Sequence, residues 1–110
     1  MSVTTATRIA ELNDAFRKAG PAPGWYLTAG VEAKGTALAI AAVAAVRSFD
    51  PFSADNDPHG EHDFGSVDVG DERVFWKIDY YDPTLTVAST EPDDPNATRR
   101  VLTIMLASEY

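Results

Sequence analysis

The chain has 110 residues, no cysteine and a composition that is 45% hydrophobic and 24% charged. This length allows one domain with a modest core, residues 1–110, and the lack of cysteine excludes disulfide frameworks and thiolate metal sites. No secretory signal pattern opens the sequence, and the longest apolar run, residues 37–46, has about half the length of a membrane span. We therefore expect a cytoplasmic protein without a membrane partner.

The acidic residues that give the net charge of −8 are concentrated in one segment. Residues 50–94 contain two basic and thirteen acidic residues, while the segments before and after them have net charges of +2 and +1. Such a field repels nucleic-acid phosphates and attracts cations or basic protein surfaces. We expect no direct binding to nucleic acid. The alternative is that the acids only form a solubilising surface.

The first half of the sequence predicts a helix, a strand and a second helix. Ile9, Leu12 and Phe16 recur at helical spacing within residues 4–18, and Gly20 followed by Pro21 ends that helix. Residues 25–32 are rich in β-favouring side chains and predict a strand, interrupted at its Ala-Gly pair. Residues 36–49 predict a helix that is apolar almost all round, so we expect it to be buried or covered by a partner subunit, as in a homodimer.

After an acidic loop over residues 50–63, the sequence predicts a β-hairpin. Apolar and polar side chains alternate in residues 64–69 and again in 73–81, with turn residues between them. Residues 84–89 suggest a short further strand. Residues 99–108 have both strand and helix features; we interpret them as a strand because a short apolar run bounded by turn residues is typical of a central strand.

These elements predict the order α-β-α-β-β-(β)-β. The corresponding fold class is α+β, with a mostly antiparallel four- to five-stranded sheet and two helices packed on one face.

The only histidines lie close together at His59 and His62, and the second is followed by Asp63. Imidazoles three residues apart beside a carboxylate are ligand types that zinc or manganese prefers, and Asp79 could then serve as a base or support the site. Two structural explanations compete with a metal site. The histidines are either exposed in a turn, or they anchor the loop to the hairpin by hydrogen bonds.

Asp55, Asp57 and Gly60 have the spacing of the first half of a calcium-binding loop, with His59 in place of the third acid. The bidentate acid required at the twelfth position would fall on Ser66, so an Asx-rich turn explains the segment better. No nucleophile triad, phosphate-binding loop or dinucleotide fingerprint is present in the sequence. We therefore expect no cofactor apart from a divalent metal in the alternative hypothesis, and favour a protein that is not an enzyme.

Three segments of the chain resemble a known family: HDFG at residues 62–65, FWKIDYYD at 75–82 and RVLTIMLASEY at 100–110. In this order they are similar to the bacterial family catalogued as domain of unknown function 3768, over residues 24–110. The resemblance implies a small bacterial cytosolic protein, often of a kind carried on plasmids and other mobile DNA. It implies no catalytic residue, because the family has no established function.

Three hypotheses follow. The first is a binding protein of a mobile element that inhibits a host defence complex, either CRISPR or a nuclease, through an acidic face that mimics nucleic acid. This face would contain Asp55, Asp57, Glu61, Asp63, Asp68, Asp79 and Asp82. The alternative is a metal-dependent hydrolase or nuclease centred on His59, His62 and Asp63. In the third, these motifs serve folding alone.

Overall fold

The computed structural model describes residues 4–110. It contains three α-helices, four strands and a short 3₁₀ turn. In chain order these are α1 (Thr5–Ala19), β1 (Trp25–Leu27), α2 (Ala29–Ala33), α3 (Thr36–Arg47), β2 (Phe64–Val69), β3 (Glu72–Tyr81), β4 (Arg99–Leu106) and the turn Ala107–Glu109. None of the helices in the described residues combines the length and hydropathy that a membrane crossing requires.

The four strands form one sheet in the order β1-β4-β3-β2. The predicted hairpin of β2 and β3 is present, and β3 also pairs antiparallel with β4. β1, however, runs parallel to β4, so the sheet is mixed. The α+β class is confirmed, with three α-helices where two were predicted. The predicted fifth strand is reduced to an isolated bridge between Tyr81 and Ala88.

The prediction of one strand over residues 25–32 was wrong in its second half, where α2 forms. Thr28 causes the change, because its hydroxyl oxygen accepts a hydrogen bond from the Val31 backbone at 3.3 Å and caps the helix. The same hydroxyl donates to Glu109 at 2.7 Å, and that carboxylate lies against Gly30, where a side chain would meet it at 2.5 Å. A distant residue therefore stabilises this turn of helix.

The core lies on one face of the sheet, where alternate residues of β3 and β4 are buried. Val74, Trp76, Leu102 and Ile104 are fully buried, together with residues from α2 and α3. We call the opposite side, which carries Phe75, the outer face. The strand predicted for residues 99–108 is confirmed as β4 up to Leu106, and the last two predicted residues belong to the 3₁₀ turn.

Helix α3 is apolar but only partly covered. Ala42 and Val46 belong to the core, whereas Ile40 is 65% exposed. The partner subunit that this surface suggested stays a prediction.

Candidate functional site

Two polar side chains of helix α1 are buried in the interior, next to the acidic loop of residues 50–63. Ile9, Asn13 and Arg17 are spaced four residues apart, which places them on the same stripe of the helix. Asn13 is 0% and Arg17 1% exposed. The buried stripe of α1 therefore continues through an amide and a guanidinium group, both of which need partners.

Arg17 joins α1 to the end of α3. Its Nη1 donates to the carbonyl oxygens of Val46 at 2.9 Å and Arg47 at 3.0 Å at the C-terminus of that helix, where Val46 also accepts from the Phe49 backbone N–H at 3.3 Å. Its Nη2 lies 3.1 Å from Asp14, and its guanidinium carbon lies 5.4 Å from the ring centre of Trp76. The positive charge is thus held by a helix end, a carboxylate and an aromatic face.

His62 ties the acidic loop to α1. Its Nδ1 lies 2.9 Å from Asp14, its backbone N–H donates to the Asp57 carboxylate at 3.2 Å, and its ring stacks on Phe52 with centres 3.8 Å apart. The residue has a φ of 56°, a left-handed conformation that is uncommon outside glycine. Of the two structural explanations, anchoring therefore describes this histidine, although its partner is α1 and not the hairpin.

A second network joins α1 to the ends of β3 and β4. Asn13 donates to the Tyr80 hydroxyl at 2.8 Å, and that hydroxyl donates to Glu61 at 2.9 Å. Arg100 donates through Nε to the Asn13 side-chain oxygen at 2.6 Å. Burial raises the pKa of Tyr80, which keeps the phenol neutral and able to donate. Glu61 is therefore a structural acceptor.

On the other side of the loop lies a cavity of about 360 Å³ beside the outer face. We call it the acidic groove. Its lining includes Asp57, His59, Asp63, Phe64, Asp79 and Tyr110. The loop contributes the first three, β2 contributes Phe64, and β3 contributes Asp79.

Asp63 is the least compensated of the acids in the groove. Burial raises its pKa, and the negative charges of Glu61 and Asp57 raise it further, while His59 opposes them. By contrast, Asp79 is paired at 3.1 Å with Lys77, which also lines the groove. No lysine or arginine in residues 4–110 forms a salt bridge with Asp63. The groove therefore favours an added positive charge at this carboxylate.

The remaining predicted acids are spread over other parts of the surface. Asp55 is exposed, and Asp68, also exposed, lies 3.2 Å from Arg73 in the hairpin. Asp82 accepts hydrogen bonds from Thr84 and from two backbone N–H groups of the following turn, which lower its pKa to about 2. The structure thus brings Asp57, Asp63 and Asp79 together but not the full set of seven.

The predicted metal ligands do not converge. His59 and Asp63 line the acidic groove, but His62 is directed toward Asp14 on the other side of the loop. No group of three or more His, Asp or Glu side chains within the described part of the chain is placed to hold a metal ion. Asp79 and His62 are likewise separated, so they form no acid and base pair.

A model of one protein family matches residues 27–109, which is most of the chain, and its description is "Protein of unknown function (DUF3768)". The chain belongs to the DUF3768 family. The resemblance inferred from three sequence motifs is therefore confirmed. No curated protein and no solved structure matches the chain.

Sequence reasoning missed Asn13, Asp14 and Arg17. A signal was present, because an amide and an arginine continue the four-residue spacing that begins at Ile9. The contribution of Tyr110 to the groove had no local signal. Its ring packs against Phe64 and Phe75, with centres 5.7 and 5.5 Å away, through a contact that only the sheet register creates.

Proposed function

We propose that this protein is a non-catalytic binding protein whose acidic groove accepts a basic side chain from a protein partner. The observation that carries the proposal is the half-buried Asp63 carboxylate, whose pKa is raised by burial and by neighbouring acids. A lysine or arginine placed beside it would favour the charged carboxylate and lower the electrostatic free energy of the complex.

The aromatic rings next to the acids favour arginine as the side chain that the partner inserts. Phe64, Phe75 and Tyr110 form a cluster with ring centres 5.4 to 5.7 Å apart, and Tyr110 is 72% exposed. A guanidinium group can pack on such a ring while it pairs with a carboxylate. Exposed aromatic side chains beside charges are also common at the centres of protein interfaces.

The partner class that we propose is a nucleic-acid-binding complex. Such a complex presents clustered lysine and arginine side chains where it binds nucleic acid. In its narrower form, this is a host defence complex, CRISPR or nuclease, inhibited in the cytoplasm by a protein of a mobile element. The net charge of −11 over residues 50–94 supports the class. Within it we assign the contact to Asp63 and Asp79, because the Asp57 carboxylate is buried and accepts from the His62 backbone.

A pair of peptides tests the groove. The first is acetyl-Gly-Leu-Arg-Leu-Gly-amide, and the second replaces arginine by citrulline, which has a similar shape and no charge. We expect the arginine peptide to shift the amide resonances of Asp63, Phe64 and Asp79, and D63N to weaken its binding about tenfold. D71N, which changes an exposed acid in the hairpin turn, is the matched control and should leave binding unchanged.

Equal binding of the two peptides, or equal loss in both variants, would overturn the assignment of the groove. Capture from a lysate of the source bacterium then tests the partner class. Wild type should retain a partner that D63N/D79N loses, with binding that weakens as salt increases. Displacement of that partner by duplex DNA supports a nucleic-acid-binding groove, and retention in excess DNA contradicts it.

A further inference from the structure

A second cavity of about 500 Å³ lies at the edge of the sheet, where β4 extends beyond β1. β1 pairs with β4 only from Leu102 to Ile104, whereas β3 pairs with β4 from Arg99 onward. Residues 99–101 therefore have β3 on one side and, within residues 4–110, no strand on the other. We call the cavity at this position the sheet-edge groove.

Most of the surface inside the sheet-edge groove is apolar. Leu12 and Phe16 of α1 form one wall, and the opposite side includes Tyr26 and Leu85, which are 58% and 56% exposed. Volumes of about 300 to 1,000 Å³ with apolar walls and few polar groups are typical of small-molecule sites. The walls suit an apolar body, and the polar residues of the lining decide which ligand class fits.

The charged residues among them are Arg99 and Arg100, whose side chains leave β4 on opposite faces. Arg100 is held in place, because Nε donates to Asn13 and Nη2 to the carbonyl oxygen of Pro92, while its guanidinium carbon lies 5.3 Å from the ring centre of Tyr80. Its remaining Nη1 has no hydrogen-bond partner in the described chain. Burial lowers the pKa of Arg100.

Neither arginine forms a salt bridge in the described residues, although the negative charge of Glu61 raises the pKa of Arg100 against the effect of burial. No carboxylate in the described residues lies within salt-bridge distance of Arg99 or Arg100, although the protein as a whole has a net charge of −8. The alternation of the strand adds a donor: the backbone N–H of Leu102 donates toward β1, to Gly24, so that of Arg100 points to the same side. A fixed, half-buried cation that forms no salt bridge therefore lines an apolar cavity.

We propose that the sheet-edge groove binds a small carboxylate with an apolar body, such as a medium-chain alkanoate. The carboxylate lies at the edge of β4 and pairs with Arg99 from one face of the strand and with Nη1 of Arg100 from the other, and the hydrocarbon packs between Phe16, Tyr26 and Leu85. The site is separate from the acidic groove, so neither proposal depends on the other.

Octanoate and octanamide are the probes, because they share an apolar chain and differ in charge. We expect octanoate to shift the amide resonances of Tyr26, Leu85 and Arg100 in a saturable manner, and octanamide to bind about tenfold or more weakly. Equal affinities for the two probes, or octanoate shifts confined to other parts of the molecule, would overturn the proposal.

Three variants locate the charge contact. R99Q should weaken octanoate binding about tenfold, while R73Q, an exposed arginine in the hairpin, should leave it unchanged. R100K keeps the charge but not the forked donors, so it should also weaken binding. Because Arg100 contacts Asn13, urea unfolding of each variant is measured in parallel, and an R99Q variant that folds normally and binds octanoate like wild type refutes the site.

The carboxylate could belong to a small molecule or to the C-terminus of a protein, and a peptide distinguishes these two sources. Acetyl-Gly-Ser-Leu with a free C-terminus offers the same charge and an apolar side chain on a polar backbone. We expect it to bind more weakly than octanoate, because the walls of the groove offer few partners for peptide groups. Tighter binding of the peptide would replace the small-molecule ligand by a protein C-terminus and so contradict the proposal.

Discussion

The loop of residues 50–63 has one side against α1 and another beside the outer face of the sheet. Against α1, His62 lies between Asp14 and Asp57, and Arg17 pairs with Asp14. In the acidic groove, by contrast, Asp63 has carboxylates as its charged neighbours, with His59 as the weaker opposing influence. The comparison teaches that the acids of this loop have two roles: charges with partners fix its shape, and a charge without one remains for binding.

Removing Arg17 tests the compensated side most severely. R17A removes one hydrogen-bond donor from the Asp14 carboxylate, which keeps His62, and one from each of two carbonyl groups at the end of α3. We expect the free energy of unfolding to fall by about 3 kcal/mol, as for other broken buried ion pairs. Urea denaturation followed by tryptophan fluorescence measures it. R8A on the exposed side of α1 is the control, and similar losses in both variants would contradict the anchoring role.

Mutating each of the two histidines compares the two sides of the loop directly. H62A removes the stacking on Phe52 and the hydrogen bond to Asp14, and we expect a loss of about 2 kcal/mol of unfolding free energy. H59A, at an exposed position, should change it by less than about 0.5 kcal/mol. Thermal or urea unfolding of both variants gives the answer. An effect of H59A as large as that of H62A would remove the distinction between the sides.

Removing the charge of Asp63 in the acidic groove should stabilise the protein, in contrast to the losses expected for R17A and H62A. Because the fold raises the pKa of Asp63, its contribution to stability is full below the unfolded pKa and is lost as the pH rises through the folded value. We therefore expect D63N to increase the free energy of unfolding at pH 7, by less than about 1 kcal/mol, and to have no effect near pH 3. Urea unfolding at both pH values measures this difference.

Asp82 serves as the control for the direction of the stability change, because its pKa is shifted the other way. Its pKa is lowered to about 2 by hydrogen bonds from the following turn. Its stabilising contribution is present above the unfolded pKa of about 3.8 and is lost as the pH falls through about 2. D82N should therefore lower the free energy of unfolding at pH 7, whereas D63N should raise it. A decrease for D63N at pH 7 would show that Asp63 already has a partner.

The hairpin and β4 could be predicted because their signals are local: side chains alternate, and turn residues separate the strands. Gly70 adopts a φ of 60° at the first position of the two-residue turn, as a hairpin turn with glycine there requires. Helix α2 could not be predicted in this way, because Glu109 stabilises it from the far end of the chain. Local preference for a strand was outweighed by a tertiary contact.

The candidate site was predicted in part for the same reason. The acid-rich loop and its histidines are visible as a cluster in the sequence, but the side on which each group lies depends on its partner in α1. His62 and Asp63 are adjacent in the chain, yet one contacts Asp14 and the other lines the acidic groove. Nothing in the spacing of residues 59–63 distinguishes them. Only the position of α1 against the loop separates a structural histidine from a binding carboxylate.

The parallel pairing of β1 with β4 has a consequence for synthesis on the ribosome. Trp25 leaves the ribosome early, but its partner Leu102 is made only after the intervening helices and the hairpin. At about 5–20 residues per second, several seconds separate the two strands. During this interval the nascent chain holds Trp25 and Leu27 without their neighbouring strand, so a chaperone that shields apolar segments would find its target in the first third of the polypeptide.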